Sequence, residues 1–156
     1  MRFSLGSVIV AFVGLVGLLT ATEPVHAQGG PALSKDPAVF KAHLVQFIQL
    51  TRRNLRDIQA LPDDDSIPVD RELRNRVSQA YGLVRAARWG IELAQNAKTY
   101  KDPMLDLAYN RIDQAMVFAR YPVDNTYVPR AEYVSQSEQN LSRALRLVQQ
   151  TLVILP

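Results

Sequence analysis

No cysteine occurs anywhere in this 156-residue chain. Disulfide staples, thiolate catalysis, zinc–cysteine sites, covalent c-type haem attachment and a lipidated N-terminal cysteine are all excluded. Histidine is nearly as scarce, with His26 and His43 the 2 in the sequence. Multi-histidine metal centres and the paired Glu-x-x-His sets of di-iron bundles therefore have no ligands. Alternation of apolar and polar residues at period two is missing too, so no β-sheet is expected. Neither charge sign dominates: 18 Lys and Arg against 15 Asp and Glu leave a formal net charge of +3. A surplus of that size favours solubility and gives no support to nucleic-acid binding.

The first 27 residues read as a secretory signal peptide. Arg2 gives a positive start, Phe3 to Leu19 carry no charge, and Val25-His26-Ala27 places small residues at −3 and −1 before Gln28. The competing reading is an uncleaved anchor, since a run of roughly 18 apolar residues qualifies as a spanning candidate. Gly6, Gly14 and Gly17 weaken that helix, and the polar Thr20–Pro24 stretch leads into the cleavage-like site. Export, to a periplasm or the medium, is the expectation. Membrane contact follows only if the segment is retained. Its removal takes away one base (Arg2) and one acid (Glu23), so the net charge is unchanged, and His43 becomes the sole imidazole.

Residues 28–36, with Gly29, Gly30 and Pro31, read as a flexible leader, and 37–156 as one domain. Proline punctuates that domain. Pro37, Pro68, Pro103 and Pro129 stand near the starts of apolar-periodic runs, while Pro62, Pro122 and Pro156 follow the ends of three. Asp36-Pro37 and Asp102-Pro103 fit an N-cap followed by proline in the first turn. Steps of three and four predict helices over about 37–61, 69–98, 103–120 and 130–155. The stripes are Phe40, Leu44, Phe47, Ile48, Leu55, Ile58 and Leu61; then Val69, Leu73, Val77, Ala80, Val84, Ala87, Ile91 and Ala94. Leu105, Ala108, Ile112, Ala115 and Ala119 form the third, and Val134, Glu138, Leu141, Leu145, Val148, Leu152 and Leu155 the fourth. Short links make successive helices antiparallel neighbours, giving an all-α, up-down-up-down four-helix bundle preceded by a signal peptide. That topology brings the acidic Asp63-Asp64-Asp65 link beside Tyr121–Tyr127. The leader, Lys98, Lys101 and the C-terminus gather at the other end.

Several groups invite a chemical reading. His43 lies on or beside the stripe of the first helix, and the topology sets Met104 at a similar height, an axial pair for a b-type haem. Gly82, Ala86 and Gly90 recur every four residues and leave a shallow groove, explained by close packing or by a docked ligand or second chain. Glu138 stands at a seam position of the fourth helix, level with Arg52, Arg76 and Arg111, as a register device. Asp63–Asp65 lacks the glycine and terminal glutamate of an EF-hand and reads as solvated charge favouring the next helix start. Arg74, Arg85 and Arg88, with Tyr81, share an outer face that Glu72 and Glu92 make an ordinary solvated one.

Apolar surface carries the functional expectation. Tyr121, Val123, Tyr127 and Val128 put aromatic and aliphatic groups into a link between helices. Leu152, Val153, Ile154 and Leu155 point all round the last turn and must be covered. The expectation is a non-enzymatic binding or accessory protein. It would contact another exported or membrane-complex protein, or a second copy of itself, through the Tyr121–Val128 link, the Gly82/Ala86/Gly90 groove or Leu152, Ile154 and Leu155. A haem or ligand carrier using His43 and Met104 is the alternative, and a hydrolase built round one histidine the third.

Overall fold

A computed structural model describes residues 30–155. The signal-peptide reading of residues 1–27 lies outside them. Among the described residues there are four helices and no strand: α1 (Pro37–Gln59), α2 (Arg71–Asn96), α3 (Pro103–Asp124) and α4 (Arg130–Ile154). They pack as a square: α1 lies against α2 and α4, α3 lies against α2 and α4, and the diagonal pairs have no close backbone approach. None of these helices is long and apolar enough to cross a membrane.

The caps explain the starts. Asp36 accepts from the Ala38 N–H and Asp102 from those of Met104 and Leu105, each ahead of a proline whose fixed φ suits a first turn. The second helix begins two residues later than expected. Its N-cap is Asp70, which accepts from the Leu73 N–H. The third runs four residues further, through Pro122 to Asp124. Proline there forfeits one intrahelical bond, but the ring is buried and its carbonyl accepts from the Tyr133 hydroxyl at 3.2 Å. Packing thus carries the helix past a residue that usually ends one.

The core follows the seams. Phe40, Leu44, Phe47 and Ile58 of α1 are buried, and so are Leu73, Val77, Ala80, Val84, Ala87 and Ile91 of α2. Every predicted apolar position of α3, from Leu105 to Ala119, is buried too. On α4 the seam is rotated from the expected one and runs through Arg130, Tyr133, Ser137, Leu141, Ala144, Val148 and Thr151. Glu138 lies outside it, exposed, with its carboxylate accepting from Gln59 Nε2 at 2.8 Å rather than meeting an arginine in the interior. The reason is in the sequence of α4 itself: Arg130 and Ser137 are polar seam residues, so the apolar stripe alone points to the wrong face.

Candidate functional site

The link from α1 to α2 folds against the link from α3 to α4. Asp64 turns back on Ser66, its carboxylate accepting from both the Ser66 N–H at 2.9 Å and the hydroxyl at 2.7 Å. Those bonds, with nearby Arg130, hold the Asp64 carboxyl below the usual range. Asp65 crosses to the other link and accepts the backbone N–H of Arg130. Pro129, the N-cap of α4, offers no side-chain bond to that helix, so Asp65 supplies the missing partner from a distant part of the chain. The buried Arg130 side chain returns the contact by donating Nη2–H to the Ile67 carbonyl.

This two-way clamp frames an open pocket of about 360 Å³, walled by Ile67, Arg74, Thr126, Tyr127 and Val128 above Arg130. Tyr127 is 92% exposed at its rim and Ile67 47% exposed beside it. The sequence expectation is thereby sharpened. Tyr127 and Val128 stand on the link, whereas Tyr121 and Val123 belong to the last turn of α3. Val123 and Val128 pack on the lower core, while burial and the neighbouring Glu132 raise the pKa of the half-buried Tyr121. Tyr133, fully in the core, is raised by burial as well, against the opposing influence of Ser137 and Arg130.

The small-residue stripe of α2 meets the chain's own leader. A Cβ added at Gly90 would lie 2.6 Å from the Ser34 carbonyl oxygen and 3.0 Å from Phe40 Cβ. Gly90 is therefore a close-approach glycine. Gly82 is half-buried and Ala86 buried. With Pro31, Leu33, Arg85 and Trp89 they line a second open groove of about 330 Å³. Arg85 sits over the Trp89 ring at 5.7 Å, within cation–π range. Arg88, expected on the same outer face, turns inward to Asp113 at 2.7 Å, with Glu92 and the Tyr109 hydroxyl also bonded. Burial opposes its charge, but these partners more than offset that and raise its pKa.

At the C-terminal turn Leu155 is buried and Leu152 and Ile154 half-buried, leaving Val153, 85% exposed, as the outward residue. The bundle covers most of that turn itself.

His43 and Met104 stand beside the seam rather than on it. Leu44 and Leu105 take the buried seam positions next to them. Met104 is 45% exposed. His43 is half-buried, which lowers its pKa by desolvation and leaves Nδ1 without a partner. Among the described residues no group of three or more His, Cys, Asp or Glu is placed to hold a metal ion. Sequence reasoning missed Arg130, whose buried side chain ties the two links together. A lone arginine after proline gives no signal that it will be interior.

No protein-family model, no curated protein and no solved structure matches this chain.

Proposed function

We propose that this chain is an exported, non-enzymatic binding protein, presenting one end of an up-down-up-down four-helix bundle to a second exported or membrane-complex protein. The observation that carries the reading is the almost fully exposed Tyr127 beside exposed Ile67, on links that Asp65 and Arg130 fasten together. A large amphipathic ring on a fastened link loses little freedom on binding, and tyrosine is enriched at interfaces for its apolar body and polar tip. Support for the topology comes from contact order. Arg143 lies over Phe118 at 5.6 Å, and Arg111 donates to the Gln150 carbonyl at 3.3 Å, so the pairs advance in opposite directions along α3 and α4. The clamp supports placing both links at one end. Support for export is the composition of residues 1–27.

A photo-crosslinking amino acid at position 127 in the chain expressed in its own cell tests this. A single partner adduct in the exported fraction, absent when the probe is moved to exposed Val117 or Val153, is the expected result. Equal labelling at all three positions, or none at 127, counts against the reading.

A further inference from the structure

Two apolar clusters make up the interior, and along α1 they are separated by polar residues. Phe40, Leu44 and Phe47 belong to one cluster and Ile58 to the other. The seam positions between them are Thr51 and Asn54, both fully buried. Ser137 of α4 is equally buried, one residue before Glu138, which reaches α1 at Gln59. It therefore sits level with the C-terminal end of α1, more than a turn beyond Asn54, and bonds towards Tyr133 of its own helix. Neither the amide oxygen nor the amide nitrogen of Asn54 has a hydrogen-bond partner in the protein, and neither does the Thr51 hydroxyl. An asparagine side chain offers two donors and two acceptor lone pairs. Desolvating all of them without a partner carries a large penalty, and native interiors almost always satisfy such groups.

We propose that this belt is an internal binding site for ordered water, held between the Asn54 amide and the Thr51 hydroxyl, one turn apart on the buried face of α1. The chemistry of the lining selects the ligand. Thr51 and Asn54 are neutral and combine donors with acceptors. The carboxylate nearest along α1, Asp57, is already bonded to Arg76. A buried water makes about three hydrogen bonds, and the donor and acceptor of the amide together with the Thr51 hydroxyl can supply that number. The inference does not depend on the binding role proposed for Tyr127.

Oxygen-17 magnetic relaxation dispersion on the purified chain tests it, by detecting internal water that stays far longer than surface water. The wild type is expected to show such a signal. Asn54→Leu is expected to abolish it. Should Asn54→Leu fail to fold, Thr51→Val removes one hydroxyl and is expected to shorten the water's residence. A wild-type chain without long-lived internal water would overturn the proposal. So would a signal unchanged in the substituted chains, or scalar couplings showing the Asn54 amide bonded directly to a protein acceptor.

Discussion

Gly90 and Gly82 stand eight residues apart on one face of α2, yet alanine at each should act with opposite sign. In an unconstrained helix interior, glycine-to-alanine gains about 0.8–1 kcal/mol from propensity alone. At Gly82 the new methyl would lie 3.9 Å from Pro31, an ordinary contact, so that gain is kept. At Gly90 it would lie 2.6 Å from the Ser34 carbonyl oxygen and 3.0 Å from Phe40 Cβ. The oxygen is backbone, so the leader must lift by several tenths of an ångström or α1 must shift. Overpacking of this kind costs about 1–3 kcal/mol. The net expectation is a stabilisation of about 1 kcal/mol for Gly82→Ala and a loss of about 0–2 kcal/mol for Gly90→Ala. For a domain of this size each kcal/mol moves Tm by roughly 3–5 °C, so thermal melts by circular dichroism separate the two. Equal stabilisation by both would refute the account, because it would mean that Ser34 and Phe40 do not lie on the stripe.

Asp65→Ala should lower stability by about 1 kcal/mol, the usual worth of an N-terminal cap, and hydrogen exchange should quicken in the first turn of α4. Tyr127→Ser should leave the unfolding free energy within about 0.5 kcal/mol of wild type, as expected for an exposed site, while removing the crosslinked partner. His43 titrates below its ordinary value because it is partly buried, so the unfolded chain takes up the proton first as pH falls. Stability should therefore be complete above the unfolded value of about 6.5 and decline as pH drops through it, and His43→Gln should flatten that part of the profile. An unchanged profile in the variant would assign the decline to another group.

Where apolar residues alone define a seam, the sequence is a faithful guide. The stripes of α2 and α3 are read correctly almost residue for residue, because Val, Leu, Ile and Ala occupy nearly every inward position. On α1 the same reading steps over Thr51 and Asn54 and settles on Ile48 and Leu55, which are only half-buried. On α4 it favours Val134 and Glu138 over Tyr133 and Ser137. Both errors have one physical source: hydrophobic periodicity cannot detect a polar residue that the packing of other helices forces inward. The candidate site shows the same limit. Tyr127 is legible as an aromatic in a link, but the bond from Asp65 to Arg130 spans two links and has no local signature.

That bond also bears on the order in which the protein can be assembled. The opening turn of α4 takes its capping carboxylate from the connection between the first two helices, so it is completed only when that connection is already in place. A fragment beginning after Asp65 would carry α4 with a frayed start, and a chain emerging from its N-terminus would hold the waiting carboxylate before the helix that needs it exists.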